Sequence, residues 1–334
     1  MSIKKVAKIA GVSIATVSRY FNNPDKVSKK TQEKVQYAID KINYSPNTLA
    51  QNLRRGKTGL IITVVPKISS LLYEPIIKTI NQLANNKEYT LLVKESGFNS
   101  LSLDYFKHMI RCKQSDGFII LTGLAPQAEQ TSNEALPIVL ACEPAAPDDH
   151  SYNLPYLAIN YFQAAKDATQ HLLRNGHKQI AFIAQDYSST STLEQQRGYL
   201  NVMQEANLAV PEYHSAIDKK KLSLQDKLNT MIQSASKPTG IYCADDETAI
   251  EAMHWIKKNG LHIPQDISVM GFHNTRFAEL CDPPLTTINN PMADIGEQAM
   301  KILFEIIDSN STASSDSKRF KHQIIVREST HPQN

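Results

Sequence analysis

The chain of 334 residues is poor in cysteine, and its cysteines form no Cys-x-x-Cys pair. Scattered cysteines are typical of reduced cytoplasmic thiols and argue against a disulfide framework or a zinc site. The chain also lacks any run of about 18 uncharged apolar residues, so no membrane span is expected. The apolar run from Val6 to Val12 is interrupted by Lys8, so a signal peptide and export are not expected. The cysteines are Cys112, Cys142, Cys243 and Cys281.

Sequence signatures of catalysis are missing as well. The chain has no Gly-rich phosphate loop, no nucleophile elbow and no cluster of metal ligands, so we expect neither an enzyme nor a bound cofactor or metal. Asp245, Asp246 and His273 form the only candidate constellation, and ligand binding accounts for them more simply than catalysis. Both aspartates stand where a helix is expected to begin, so capping of that helix is an equal alternative.

Charge is distributed unevenly along the chain. Residues 1–57 contain twelve Lys and Arg against three Asp and Glu, a formal charge of +9; the whole chain carries +3, so the remainder carries −6. A basic segment joined to an acidic body is typical of a nucleic-acid-binding module attached to a second functional unit. An ordinary solvated surface would not explain why the excess ends near Lys57.

The stretch from Ile3 to Asn22 has the pattern of two short helices joined by a tight turn. Apolar residues recur at helical spacing before Gly11, which suits a left-handed turn. Ser13 is a suitable N-cap for the second helix, on which Val17 points inward and Arg19 outward. This pattern predicts a helix-turn-helix, whose second helix enters a DNA major groove. An ordinary helical hairpin is the alternative.

A third helix is predicted from Lys29 to Ile42, and it ends before Pro46 because a residue preceding proline avoids the helical region. The following span, residues 46–57, allows only about two helical turns, which are too short to be stable alone in water. Its small apolar face can pair with its twin across a dimer axis. The span is therefore either a plain linker or a hinge that folds when something holds it. The face consists of Leu49, Ala50 and Leu53.

After Gly59, short apolar runs rich in β-formers alternate with helical patterns, and the alternation restarts after Asn160. One of the later helices is predicted from Leu193 to Ala206. Continuous apolar strands that alternate with helices predict parallel sheets covered on both faces. The expected fold class is α/β, with an N-terminal three-helix helix-turn-helix head and a body of two doubly wound parallel-sheet lobes.

These motifs resemble the lactose-repressor family of bacterial transcription regulators. The match includes V-A-x-x-A-G-V-S-x-x-T-V-S-R from Val6 to Arg19 and Y-S-P-N-x-x-A-x-x-L from Tyr44 to Leu53, and it continues through GHKQIAFIA, PTGIYCADD and CDPPLTTINNP. It covers almost the whole chain and implies a body like periplasmic sugar-binding proteins, with a ligand cleft between two lobes. The chain is most similar to the nucleoside- and purine-responsive, cytidine-repressor-like members. Lys5 departs from the acidic residue that is usual there.

The resemblance also implies domain boundaries. Residues 1–45 would be the DNA-binding head, residues 46–57 a hinge helix, and residues 58–334 the effector-binding and dimerisation body. Within the body, lobe 1 would comprise about residues 59–159 and 291–321, and lobe 2 about residues 160–290 and 322–332. The chain would cross between the lobes near Ile159, Asn290 and Lys321.

In this family, residues at the start of the second helix read base edges. Ile14 and Ala15 can make only apolar contacts there, such as with a thymine methyl, whereas Arg19 can pair with guanine or contact a phosphate. Leu53 matches a position that wedges into a minor-groove step, although it can also bury itself against its dimer mate. The DNA-contacting residues that the resemblance implies are Ser13, Ile14, Ala15, Thr16, Ser18, Arg19, Asn22, Lys26, Lys29, Asn47, Ala50 and Leu53.

The resemblance places the effector in the cleft, which is lined from several strand ends. Gln195 and His273 depart from an arginine and an aspartate that are common in the family. Charge-assisted hydrogen bonds are about twice as strong as neutral ones, so these residues would hold ligand hydroxyls more weakly or hold different groups. His273 can alternatively be an ordinary satisfied polar residue. The matching positions are Leu72, Tyr73, Cys142, Glu143, Asn160, Gln195, Asp246 and His273.

The sequence thus predicts a cytoplasmic homodimeric repressor that binds a pseudo-palindromic double-stranded DNA operator. Its operator affinity would be controlled by a small molecule such as a nucleoside, purine or sugar. A solute-binding protein of the transport class is the alternative that the body alone permits, but the basic head argues against it. A regulator that responds to a protein partner, or has no small-molecule effector, is a further alternative.

Overall fold

The computed structural model describes residues 2–45, 56–97, 101–122, 136–142, 154–185, 187, 189–210, 222–309 and 318–333. The chain divides into two compact units, Met1–Thr58 and Gly59–Asn334, which we call the head and the body. Residues 46–55 of the predicted hinge lie outside the described residues. The same holds for four predicted site residues: Asn47, Ala50, Leu53 and Glu143.

Three short helices form the head: α1 (Ile3–Ala10), α2 (Ile14–Asn22) and α3 (Lys29–Ile42). Gly11 ends α1 in the left-handed conformation with φ 66°, as predicted for the turn. The Ser13 hydroxyl accepts a hydrogen bond from the Thr16 backbone N–H at 3.1 Å, so α2 begins where the cap was predicted. The helices pack around a small apolar core made of Val6, Ala7, Ala10, Val17, Val35 and Ala38.

The described part of the body contains eleven strands and eight helices. The strands are β1 (Leu60–Val65), β2 (Thr90–Glu95), β3 (Gly117–Ile120), β4 (Ile138–Ala141), β5 (Tyr156–Ile159), β6 (Ile180–Ile183), β7 (Gly240–Cys243), β8 (Ser268–His273), β9 (Thr286–Asn289), β10 (Lys318–Phe320) and β11 (Gln323–Ile325). The helices are α4 (Glu74–Asn86), α5 (Leu103–Arg111), α6 (Tyr161–Arg174), α7 (Thr190–Glu205), α8 (Leu224–Gln233), α9 (Asp246–Lys258), α10 (Arg276–Leu280) and α11 (Met292–Ser309).

Six parallel strands form the sheet of lobe 1, in the order β10-β5-β4-β3-β1-β2. Parallel strands need crossover connections, whose helices cover both faces of the sheet and require apolar side chains on each. Strand β3 illustrates this, because Phe118 packs with Phe106 of α5 on one face. On the other face, Ile119 packs with Ile76 of α4 and Leu303 of α11.

The sheet of lobe 2 has the strand order β11-β9-β8-β7-β6, with β11 antiparallel to β9 and the other pairs parallel. Phe182 and Tyr199 belong to the core beneath α6 and α7. Ile183 and Leu228 belong to the core on the opposite face, beneath α8 and α9. The predicted α/β class with two doubly wound lobes is confirmed.

The chain passes between the two sheets at three places. Strand β5 of lobe 1 leads into α6, β9 of lobe 2 leads into α11, and β10 of lobe 1 is followed by β11 of lobe 2. Phe320 at the end of β10 packs against the cores of both lobes. The lobes are therefore joined by short links along one side of the body.

Gly198 fixes how closely α7 approaches α6. A Cβ atom at this position would lie 2.3 Å from the Phe162 carbonyl oxygen and 2.9 Å from Ala165 Cβ. Backbone atoms cannot yield without separating the helices, so we expect Gly198→Ala to lower the free energy of unfolding by about 1–3 kcal/mol. Urea unfolding measures this, with Gln204→Ala on the exposed face of α7 as the control. An unchanged midpoint for Gly198→Ala would contradict this packing.

Candidate functional site

The start of α2 presents an accessible surface on the head. Ile14 is 42 % exposed, and Ala15 and Arg19 are exposed beside it. Val17, on the opposite side of the helix, is fully buried and holds α2 against the other two helices. One guanidinium group and two apolar side chains therefore share a helix face that can enter a groove about 12 Å wide, such as the major groove of DNA.

The hydroxyl residues of the predicted DNA-binding set lie on the same helix. Ser13 is exposed, whereas Thr16 and Ser18 are half-buried. The Ser13 and Thr16 hydroxyls lie 2.9 Å apart and share a hydrogen bond that fixes the first turn. Only the backbone of Asn22, at the end of α2, belongs to the described structure.

Two lysines extend the basic surface beyond α2. Lys26 lies in the short turn between α2 and α3, Lys29 is the first residue of α3, and both are exposed. Gln32 fixes that turn, because its Nε2 donates hydrogen bonds to the carbonyl oxygens of Pro24 and Val27, each at 2.8 Å. Gln32 was not among the predicted residues. Its position in the first turn of α3, next to a connector that contains a proline, is the feature of the sequence that could have indicated this role.

In lobe 1, the predicted effector residues lie where β1 and β4 end. Leu72 and Tyr73 belong to a 3-10 turn after β1, and Cys142 directly follows β4. Tyr73 is 8 % exposed and Cys142 4 %, and the Cys142 sulfur lies 3.6 Å from the sulfur of Met292. Leu72 packs against the same core. These side chains therefore pack within the apolar core of lobe 1.

Asn160 stands at the first crossing between the lobes. Its Oδ1 accepts a hydrogen bond from the Gln163 backbone N–H at 3.0 Å and so caps α6. The side chain is half-exposed. Capping is therefore one role of this residue, and it fixes the orientation of the amide at the crossing.

Gln195 lies inside lobe 2 and is 1 % exposed. The Tyr242 hydroxyl donates a hydrogen bond to Gln195 Oε1 at 2.6 Å, and Gln195 Nε2 donates one to the Ala244 carbonyl oxygen at 3.3 Å. The side-chain amide is therefore engaged within the lobe on both its donor and its acceptor side. No pattern in the sequence predicts Tyr242 as its partner.

The carboxylate of Asp246 also forms its hydrogen bonds within lobe 2. It is fully buried at the start of α9, and its two carboxylate oxygens accept three hydrogen bonds from Thr275 and Thr287. The Thr275 backbone N–H and the Thr287 hydroxyl are each 2.6 Å away. Burial raises the pKa of Asp246 to about 6, although these hydrogen bonds act in the opposite direction. The neighbouring Asp245 caps α9 by accepting from the Thr248 backbone N–H at 2.6 Å.

His273 is the predicted site residue that keeps an unused polar atom. It ends β8 with φ 100°, and its ring meets the Phe272 ring edge-on at 4.8 Å. Its Nδ1 is buried and has no hydrogen-bond partner within the described structure. Burial lowers the pKa of His273 to about 3, so the ring is neutral near pH 7 and offers one donor and one acceptor.

The lobe 2 residues converge on the C-terminal edge of their sheet. Asp246 follows β7, His273 ends β8, and Thr287 lies on the adjoining strand β9. Gln195 reaches the same edge from α7 through the carbonyl that follows β7. Most polar groups described at this edge have hydrogen-bond partners, but His273 Nδ1 and the Oδ1 of Asn290, which follows β9, have none within the described residues.

In the described ranges, no three His, Cys, Asp or Glu side chains are grouped so that they could hold a metal ion. The oxygens of Asp246 accept hydrogen bonds from amide and hydroxyl donors instead. As for membranes, no helix in the part of the chain that the structure describes is long and apolar enough to cross one.

Comparisons with known proteins agree with this two-part design. Residues 2–47 match the family described as bacterial regulatory proteins, lacI family, and residues 169–330 match the periplasmic binding protein-like domain. The chain is 32 % identical to Catabolite control protein A of Priestia megaterium, over 99 % of both chains. It is 31 % identical to the HTH-type transcriptional repressor CytR of Escherichia coli (strain K12), over 98 % of this chain and 96 % of the relative.

A solved structure supports the same architecture. The lac repressor dimer bound to operator and the anti-inducer ONPF is similar with a TM-score of 0.80 and 24 % identity, over 99 % of both chains. The chain belongs to the lacI family of bacterial regulatory proteins. It is accordingly a DNA-binding transcriptional repressor and not an enzyme. The resemblance inferred from the helix-turn-helix and body motifs is confirmed.

The raised pKa of Asp246 predicts a pH effect on stability. Between its ordinary value of 3.8 and about 6, the folded protein binds this proton more tightly than the unfolded chain does. The resulting stabilisation is complete below pH 3.8 and is lost as the pH rises through 6. The difference between the two pKa values corresponds to a loss of about 3 kcal/mol in the free energy of unfolding. Asp246→Asn retains an acceptor for Thr275 and can donate to the Thr287 hydroxyl, so this loss should vanish.

Urea unfolding of the wild type and the Asp246→Asn variant at pH values from 4 to 7 tests this. Asp266→Asn serves as the control, since Asp266 has a pKa that is lowered by its hydrogen bonds with His262 rather than raised. The control should keep the decline of the wild type in this range. Parallel curves for the wild type and Asp246→Asn would contradict the assignment.

Proposed function

We propose that the protein represses transcription by binding a pseudo-palindromic operator as a homodimer, and that a small molecule held between the lobes controls this binding. The exposed start of α2, with Arg19 accessible beside Ile14 and Ala15, is the observation that supports the DNA contact most directly. The formal charge of +9 in residues 1–57 supports the same conclusion. Action on DNA implies a cytoplasmic location.

Base reading rests on three side chains in this proposal. Arg19 forms two hydrogen bonds with guanine, and Ile14 and Ala15 contact thymine methyl groups. Residues Asn47 and Ala50 follow the minor groove, and Leu53 wedges between base pairs at the operator centre. Phosphate contacts come from Ser13, Thr16, Ser18, Asn22, Lys26 and Lys29.

Exposed apolar side chains on the body support the homodimer. Ile68 and Leu92 of lobe 1 are 54 % and 44 % exposed, and Phe277 and Leu280 of lobe 2 are 48 % and 63 % exposed. Phe277 and Leu280 lie one turn apart on α10, and exposed large apolar side chains that lie together commonly mark a protein interface. The solved lac repressor relative is described as a dimer, which agrees with this assignment.

For the effector we propose a nucleoside or purine. An apolar wall formed by Leu72, Tyr73 and Cys142 suits a planar base, and Asn160 lies at the first crossing beside the cleft. The neutral ring of His273 can exchange hydrogen bonds with a base or a hydroxyl group, and Glu143 can accept from an amino or hydroxyl group. Gln195 and Asp246 shape the site through their internal partners. Effector binding would then change the arrangement of the lobes and, through the hinge, DNA affinity.

The role of Arg19 predicts a change in sequence preference. Arg19→Lys keeps the charge but loses the two-pronged contact, so operator binding should weaken by about 1–3 kcal/mol and discrimination should relax at one position of each half-site. Lys29→Ala should weaken binding to all sequences alike and reduce the salt slope by about 1. Fluorescence anisotropy with an operator selected from random DNA measures both quantities.

Arg197→Ala is the control for charge, because Arg197 is exposed and pairs with Glu194 in the body. It should leave both affinity and salt slope unchanged. Equal weakening of every sequence by Arg19→Lys would reassign this residue to a phosphate. A wild-type affinity that does not fall with salt would remove the DNA-binding proposal altogether.

The role of His273 predicts a loss of effector response. Nucleosides, purines and sugars are screened for a rise in Tm, and ligands that raise it are retested for their effect on operator binding. His273→Ala should weaken binding of such a ligand at least about tenfold, as expected when a buried hydrogen-bond partner is removed. His262→Ala, whose side chain is 78 % exposed, should bind the ligand normally. Unchanged affinity in His273→Ala would place the ligand elsewhere.

A further inference from the structure

A polar contact joins the two lobes directly, apart from the three chain crossings. Glu247 of α9 in lobe 2 accepts hydrogen bonds from two groups of lobe 1 through its Oε1. The donors are the Leu71 backbone N–H at 3.2 Å and the Ser70 hydroxyl at 3.3 Å. The partners are 176 and 177 residues apart in the chain, and all three are half-buried. The contact therefore depends on the arrangement of the lobes.

Glu247 is the one residue of three consecutive acids that points to the other lobe. Asp245 caps α9, and Asp246 is enclosed by Thr275 and Thr287 within lobe 2. Glu247 follows them in the first turn of α9, where the helix dipole favours a negative charge. Its carboxylate can therefore bind donors of lobe 1 without disturbing the polar contacts within lobe 2.

On lobe 1, one of the two donors to Glu247 is a backbone N–H at the start of a helical turn. Leu71 is the first residue of the 3-10 turn Leu71–Tyr73, so its N–H precedes the hydrogen bonds that the turn itself provides. Glu247 satisfies this N–H with a charged acceptor, and such bonds are stronger than neutral ones. The same turn contains Leu72 and Tyr73, so the contact adjoins the wall of the proposed effector site.

We infer that Glu247 is an interlobe latch, which stabilises this arrangement of the lobes in the absence of any effector or DNA. The hydrogen bonds of Glu247 then favour one arrangement of the lobes over others in the free protein. An effector would have to shift this existing equilibrium between arrangements. This inference goes beyond the proposed function. It concerns only the geometry of the body, so it can be tested with no ligand present.

The test measures the distance between the lobes by single-molecule energy transfer. One dye is attached to the exposed native Cys112 of lobe 1, and the other to Gln204→Cys on the exposed face of α7 in lobe 2. Cys281, which is only partly buried, is changed to serine in all samples. Labelled protein is diluted into an excess of unlabelled protein, so that any dimer contains a single labelled chain.

Glu247→Ala should shift the interlobe distance distribution away from that of the parent protein, toward longer and more variable distances. Glu251→Ala is the matched control, because it removes a carboxylate one turn later on α9 that bonds Gln185 within lobe 2. The control should reproduce the parent distribution. An unchanged distribution in Glu247→Ala would overturn the latch, whatever the outcome of the DNA and effector experiments.

A variant on the lobe 1 side tests the same bond from its donor. Leu71→Pro deletes the N–H, and proline is tolerated at the first position of a helical turn. Ser70 has φ −76° and ψ 125°, the extended conformation that a residue before proline prefers. Leu71→Ala, which keeps the N–H, controls for the lost side chain.

Leu71→Pro should shift the distribution in the same direction as Glu247→Ala but less far, because the Ser70 hydroxyl can still donate to Glu247. Adding Leu71→Pro to Glu247→Ala should change little further, because Glu247→Ala already removes the same hydrogen bond. Ser70→Ala should give a smaller shift in the same direction. Additive shifts from Leu71→Pro and Glu247→Ala, or a shift in Leu71→Ala as large as in Leu71→Pro, would refute the hydrogen bond as the cause.

Discussion

One buried carboxylate holds together the edge of lobe 2 on which the proposed effector site depends. Asp246 draws the Thr275 amide and the Thr287 hydroxyl to 2.6 Å, so α9, β9 and the loop after β8 meet at one point. A buried carboxylate is tolerated only when donors surround it, and here three hydrogen bonds do so. The same closeness excludes a side chain at Gly271, whose Cβ would lie 2.3 Å from Asp246 Oδ1. The loop that positions His273 is thus fixed from within the lobe.

The departure at Gln195 is explained by its partner. The Tyr242 hydroxyl is buried and donates to Gln195 Oε1 at 2.6 Å, so it needs an acceptor at that position. An arginine in the same place could only donate to the Tyr242 oxygen, so the buried Tyr242 proton would lose this acceptor. Gln195 and Tyr242 are therefore matched to each other, so the proposed effector site relies on other polar groups at this edge, His273 among them.

Local signals in the sequence were sufficient for the head and for the fold class, but not for the site. Gly11 and Ser13 set the boundaries of α1 and α2 through contacts within a few residues, which a sequence pattern can encode. The start of α7 was predicted at Leu193, but the helix begins at Thr190 because Ser189 caps it. The hydrogen bond between Gln195 and Tyr242 spans 47 residues, and no periodicity or capping rule predicts a partner at that distance.

The interlobe contact of Glu247 lies far from the third chain crossing, so it can oppose rotation of one lobe against the other. At the third crossing, Phe320 packs on both cores and His322 Nε2 lies 2.7 Å from Asp167 Oδ2, which leaves Lys321 as the residue between two anchored ends. The strand that precedes the Glu247 contact in lobe 1, β1, lies four strands from β10, and β7 in lobe 2 lies three strands from β11. At about 4.8 Å per strand, the contact lies about 14–19 Å from the third crossing. A rotation at Lys321 displaces atoms at that distance more than atoms near the crossing, so the hydrogen bonds of the inferred Glu247 latch oppose such a rotation.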